Sequence, residues 1–125
     1  MPWGTAQASD EETFASTQTT WRTIQQGAAD AIITLEPREL VVIQEVWDFS
    51  ATDDGEFQVL ASADGGTTWD TLPILAHTID RTVDLSNLSF VISGYERIKL
   101  QARMSGTTDT TATLTVNWRK DGVAA

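Results

Sequence analysis

At 125 residues the chain has the length of one ordinary domain, and a 41% hydrophobic content suffices for a single core. The formal net charge of −10, from 18 acidic and 8 basic residues, disfavours anionic membranes as partners, and nucleic-acid phosphates too unless Arg97, Lys99 and Arg103 gather into one patch. The absence of cysteine excludes disulfides, thiolate metal sites and a cysteine nucleophile.

The opening stretch MPWGTAQASDEETFASTQT is polar, with an acidic cluster at Asp10-Glu11-Glu12. It sustains no period of 2 or 3.6 and predicts an extended N-terminal arm over 1–19, ahead of one β domain over 20–125. No basic region followed by an apolar run marks a secretory signal. No apolar stretch approaches the ~20 residues of a membrane helix. Trp3 and Phe14 are the large apolar residues of the arm, and Trp21 stands just beyond it. Aromatic side chains are enriched at interfaces, so these three are the expected anchors to a partner.

From residue 19 the chain reads as strands. Thr19–Ile24 alternates loosely, and Ala31–Pro37 is short and β-branched. Leu40–Ser50 is long and apolar on both faces, as a central strand would be; it places Trp47 in the core. Thr52–Gly55 is a turn signal. Glu56–Ser62 and Trp69–Leu75 then flank the turn SADGGTTW, which predicts a hairpin between them.

In that turn Ser62, Asp64, Gly66, Thr68 and Trp69 stand in the order S-x-D-x-G-x-T-W. The pattern resembles the Asp box of sialidase-type propellers. A six-bladed propeller needs roughly 40 residues per blade, so the length excludes one. The resemblance implies a local role for each residue. Asp64 accepts backbone N–H groups of its own turn, Gly66 supplies positive φ, Thr68 adds a local bond, and Trp69 packs on the hairpin. Such a turn needs no ligand.

Arg81–Leu88 and Phe90–Gly94 are the next predicted strands. Glu96–Ser105 alternates most clearly: Ile98, Leu100, Ala102 and Met104 oppose Arg97, Lys99, Gln101 and Arg103. It predicts a half-buried strand with a basic stripe facing solvent or a partner. Ala112–Arg119 alternates again, with Trp118 on its apolar side, and the two strands are expected to pair as a hairpin. With no helix longer than two turns, about eight strands argue for an all-β, antiparallel sandwich of jelly-roll type.

Chemistry is poorly represented. His77 is the single histidine. A Ser-His-Asp site would need Ser62 or Ser93, yet Ser93 sits in ISGY, which is no nucleophile elbow, and Ser62 belongs to the turn motif. Asp53, Asp54, Glu56, Asp64 and Asp70 could supply paired carboxylates, but most stand in turns, where Asp bonds local backbone. The DDGE and SADGG loops lack the twelve-residue calcium pattern, and no zinc spacing exists. Gly65-Gly66 joins two strands rather than a strand and a helix, so it forms no phosphate loop. Asn87 heads an NLS sequon with no secretory context. No catalytic, metal-binding or cofactor-binding residue is therefore assigned, and no enzyme is expected.

The stretch FQVLASADGGTTWDTLP, followed by YERIKLQARMSGTTDTTATLTVNWR, resembles small virion proteins of tailed bacteriophages. These carry an S-x-DGG-x-TW hairpin, a Y-x-R-[IL]-x-[LV] strand and a Thr/Ala-rich last strand ending in an aromatic. The resemblance covers roughly residues 40–120. It implies a non-enzymatic β-sandwich subunit that decorates or cements a capsid, assembled in the bacterial cytoplasm and carried in the virion. Its partners would be the major capsid protein or other virion subunits, with homo-oligomers, trimers above all. Trp3, Phe14, Trp21, Arg97, Lys99 and Arg103 are the candidate interface residues. A neck, tail or fibre position is the alternative within that class. A carbohydrate- or receptor-binding module using Trp21, Trp69 or Tyr95 is a second class, and a small hydrolase using Asp64, Asp70 and His77 a third.

Overall fold

The computed structural model describes residues 6–15, 20–26, 29–30, 32–36, 38–49, 55–79, 87–104 and 111–122. Its strands are β1 (Ala6–Ala15), β2 (Arg22–Thr23), β3 (Gln25–Gln26), β4 (Ala29–Asp30), β5 (Ile32–Thr34), β6 (Glu39–Phe49), β7 (Gly55–Ser62), β8 (Leu75–Ile79), β9 (Asn87–Ser93), β10 (Arg97–Met104) and β11 (Thr111–Gly122). No helix occurs among the described residues. The fold is an antiparallel β-sandwich. One sheet has the order β1-β11-β6-β9; the other has the order β2-β10-β7-β8, with β5 also on β10.

The connectivity is that of a jelly roll. β2 and β5 are two halves of one strand, since β2 pairs with β10 at Gln101 and Ala102 while β5 pairs with it at Arg97 to Lys99. Ile24 N–H bridges the halves by donating to Leu100 O at 2.8 Å. The little β3–β4 ladder is an excursion between them. Counting the halves as one leaves four nested antiparallel pairs, β1 with β11, β2/β5 with β10, β6 with β9, and β7 with β8. That nesting is the double Greek key.

Alternation explains which residues fill the gap between the sheets. Along β6, β7, β10 and β11 alternate residues fill the gap, and the core includes Val41, Ile43, Trp47, Phe57, Val59, Ile98, Leu100, Met104, Leu114 and Val116. Fully burying one such aliphatic or aromatic side chain is worth about 1.5–3 kcal/mol. Trp118 is half-buried and packs against this core.

Asn87–Ser93 is one strand where Arg81–Leu88 and Phe90–Gly94 were expected as two, and residues 81–86 lie outside the described residues. Three further sequence expectations change. First, β10 and β11 do not form a hairpin. They lie in different sheets, and β11 pairs with β1 and β6. Two alternating strands separated by a short turn suit a hairpin and a sheet-to-sheet crossing equally well, because alternation fixes the buried face and not the neighbour. Second, the hairpin from β7 returns later than expected. Asp70 N–H reaches Ala61 O and Ile74 N–H reaches Val59 O, each at 3.0 Å, but the regular ladder runs only from Leu75. Third, the segment read as an arm is extended at 6–15, yet its partner is its own chain. Ten register pairs, from Ala6 opposite Lys120 to Ala15 opposite Thr111, make it an edge strand. An Arg22 guanidinium N–H also donates to Thr13 O at 3.1 Å, tying the two sheets at that edge.

Candidate functional site

The basic stripe stands on the outer face of β10. Arg97, Lys99, Gln101 and Arg103 alternate with buried Ile98, Leu100, Ala102 and Met104. Pairing with β7 sets each beside a defined neighbour: Arg97 by Ser62, Lys99 by Leu60, Gln101 by Gln58 and Arg103 by Glu56. The structure thus gathers four of the expected interface residues, Trp21, Arg97, Lys99 and Arg103, on one face together with Trp69. Trp3 lies outside the described residues. Of Phe14 only the backbone is described, opposite Ala112 in β1.

The side chains of this face are largely engaged with one another. Arg103 Nε lies 2.6 Å from Glu56 Oε2, and its guanidinium stacks 4.2 Å from the centroid of the Trp21 ring. Lys99 Nζ sits 4.7 Å from the centroid of the Trp69 ring. Between the two aromatics, Gln58 Nε2–H donates to Gln101 Oε1 at 2.6 Å, and Gln101 donates on to Thr23 Oγ1 at 3.1 Å. Arg97 Nε is 3.6 Å from Glu96 Oε1. Each cation–π contact contributes about 0.5–1 kcal/mol at such partly exposed positions, comparable with an exposed ion pair. Gln58, Leu60 and Ser62 point outward but are buried, so the face is filled along β7.

The turn at the end of β7 is self-satisfied. Asp64 Oδ1 accepts the Thr68 N–H and the Ser62 hydroxyl, each at 2.8 Å. Ser62 Oγ accepts the Gly66 N–H at 3.0 Å, so the serine is as central as the aspartate. Gly65 and Gly66 take φ of 77° and 92°, the left-handed region that a side chain disfavours. A Cβ on Gly66 would stand 3.7 Å from Trp69, which places that ring over the turn. The Thr68 backbone N–H, then the Ser62 hydroxyl, then the Thr68 side chain hold the Asp64 carboxyl below its ordinary value of 3.8.

A lowered carboxyl pKa stabilises the fold above the unfolded value and loses that contribution as pH falls through the folded value. Asp64→Asn is therefore expected to lower the urea midpoint at neutral pH. The difference from wild type should shrink as pH drops below about 4. An unchanged difference down to about pH 2 would show that the charge of Asp64 is not what the turn uses.

His77 stands in the middle of β8 and bonds neither Ser62 nor Asp64. It stands level with Phe57, whereas Asp64 lies beyond Ser62, five residues further along β7, or roughly 17 Å away along the strand. The structure thus does not unite Asp64 and His77, and Ser62 spends its hydroxyl on Asp64. His77 Nε2 instead meets Glu45 Oε2 at 2.6 Å. Glu45, on the inner face of β6, is completely buried, and its Oε1 accepts the Trp47 indole N–H at 2.9 Å. The imidazole stacks on Phe57 at 5.6 Å and meets Phe90 edge-on at 6.0 Å. This is a polar tie between the two sheets inside an aromatic cage. Glu45 was legible only through parity: in VVIQEVW it shares the face of Ile43 and Trp47.

A half-open cleft of about 570 Å³ lies where Thr34, Leu35, Glu36, Arg38 and Glu39 approach Gly94 to Arg97. Arg38 adopts φ 69° in its turn, and Glu39 Oε1 accepts the Glu36 N–H at 2.7 Å. Tyr95, exposed at 41%, lines it with carboxylates of Glu36, Glu39 and Glu96 and the cations of Arg38 and Arg97. Among the described residues no three His, Asp or Glu side chains group to hold a metal. No helix there is long and apolar enough to cross a membrane. No protein-family model and no curated protein matches the chain.

Proposed function

We propose that the chain is a non-enzymatic structural subunit of a tailed-phage virion, a capsid decoration or cement protein that stabilises the shell by contacts between subunits. The reading is supported by one observation above others. Among the described residues, Ser62 and Asp64 are committed to their turn, and His77 and Glu45 to each other. A domain built so acts through its surface. The jelly roll is an architecture shared by viral capsid domains and lectins, which is an argument by analogy of fold. Against the lectin alternative, Trp21 and Trp69 each already carry a cation on one ring face. The amides between them are bonded to one another.

As a cement the protein would add buried area across capsomer boundaries, and a standard interface buries roughly 1,600 Å² in total. Purified protein mixed with capsid shells lacking it is expected to cosediment at fixed stoichiometry and to raise the temperature at which the shell opens. Absence of cosedimentation would overturn the reading. So would saturable quenching of tryptophan fluorescence by a glycan, lost in a folded Trp69→Ala variant. Removal of residues 1–20 is the wrong probe, because it deletes β1 from its own sheet.

A further inference from the structure

The sandwich has four strand edges, and three of them are blunted. β1 carries Asp10-Glu11-Glu12 in its middle. The edge formed by β2 and β5 is broken into pieces of two and three residues. β8 has five residues. The fourth edge, β9, has seven, NLSFVIS, with neither a charge nor a proline. Soluble proteins protect long, uncharged edges rich in β-formers because such edges pair with another chain. Among the described residues β9 pairs with β6 alone, and none pairs with its other side.

The strand facing β9 in the other sheet is equally uncharged. His77 of β8 touches Phe90 of β9 across the gap between the sheets, so the two strands flank the same side of the sandwich. LAHTI and NLSFVIS together hold no Asp, Glu, Lys or Arg, in a chain where such residues make up 21%. Val91, exposed at 57%, stands on the outer face beside half-buried Val42.

We propose that β9 is the strand through which two copies of this chain pair, antiparallel across a two-fold axis, joining two four-stranded sheets into one of eight strands. The sequence of β9 is complementary to itself about Phe90. In that register Leu88 faces the partner's Ile92, Ser89 faces the partner's Val91, and Asn87 faces the partner's Ser93. Inward apolar residues meet inward apolar residues, so the two cores become continuous, and an isologous contact closes on itself. Charge selects the same place. Two chains of net charge −10 repel one another, and the strands β8 and β9 themselves add no like charges to that repulsion.

The pairing is independent of the virion reading and is tested on the full-length protein by sedimentation and light scattering. The wild type is expected to dimerise. Ser89→Lys combined with Val91→Lys puts like charges directly opposite each other twice per interface and is expected to weaken the dimer about tenfold or more. Both side chains are exposed, so circular dichroism and the melting temperature should stay near wild type. Ser89→Glu combined with Val91→Lys sets opposite charges across the axis and is expected to restore dimerisation. A monomeric or trimeric wild type would overturn the proposal. So would a double-lysine variant that dimerises as tightly as wild type, or a charge-swapped variant no tighter than the double-lysine one.

Discussion

Glu45→Ala is expected to cost about 3–5 kcal/mol of folding stability, read as a lower urea midpoint with little change in slope. The carboxylate is fully buried and accepts on both oxygens, from His77 Nε2 at 2.6 Å and from the Trp47 indole N–H at 2.9 Å. Alanine removes both acceptors and leaves a void in a close-packed gap. A buried donor deprived of its partner costs about 1–3 kcal/mol, and two are affected here. His77 keeps some access to water, with its side chain exposed at 20%, which places its share at the lower end.

The comparison that decides the mechanism is Glu45→Leu combined with His77→Phe. Replacing a buried polar pair by apolar groups of similar volume is often nearly neutral, whereas breaking it is not. Phenylalanine keeps the stacking that His77 makes with Phe57 and the edge contact with Phe90. The double variant is therefore expected to be more stable than Glu45→Ala and to fall short of wild type by roughly the indole's lost acceptor, about 1–3 kcal/mol. If Glu45→Ala changed stability by less than about 1 kcal/mol, the tie between the sheets would contribute nothing and the carboxylate would require another explanation.

How far this architecture was legible in the sequence depends on the kind of information each feature uses. The alternation of Ile98, Leu100, Ala102 and Met104 gave their burial directly, because period two is a local property. The turn at Ser62 to Trp69 was legible for the same reason, as its bonds close within a few residues. Strand partners were not legible. β11 spans the sheet between β1 and β6, and β1 reaches it from the other end of the chain. Register pairs such as Ala8 with Trp118 leave no trace in either segment alone. The outer face was half legible: alternation showed Arg97, Lys99 and Arg103 together, but not that Trp69 and Trp21 would come to lie against Lys99 and Arg103. Glu45 and His77 illustrate the same limit, 32 residues apart and joined only because β6 and β8 lie in opposite sheets.

Gly55→Ala is expected to be destabilising by about 1–3 kcal/mol, although alanine ordinarily suits a strand better than glycine. The gain from a less flexible unfolded chain is about 0.4–1 kcal/mol. It is opposed by contact: a Cβ on Gly55 would lie 2.7 Å, 2.8 Å and 3.0 Å from Cζ3, Cη2 and Cε3 of Trp47. Trp47 is a rigid ring at 3% exposure, and its indole N–H is tethered to buried Glu45, so it cannot swing aside without giving up that bond. The glycine at the start of β7 is thus a fitting for the tryptophan of the facing sheet. The test is a double-mutant cycle with Trp47→Phe. Phenylalanine lacks the part of the indole that the new methyl group would strike, so Gly55→Ala should cost close to nothing in that background, although Trp47→Phe is itself destabilising. A coupling of at least about 1 kcal/mol is expected. Additivity within about 0.5 kcal/mol would mean that the sheets relax around the added methyl group, and that Gly55 is needed for some reason other than the ring above it.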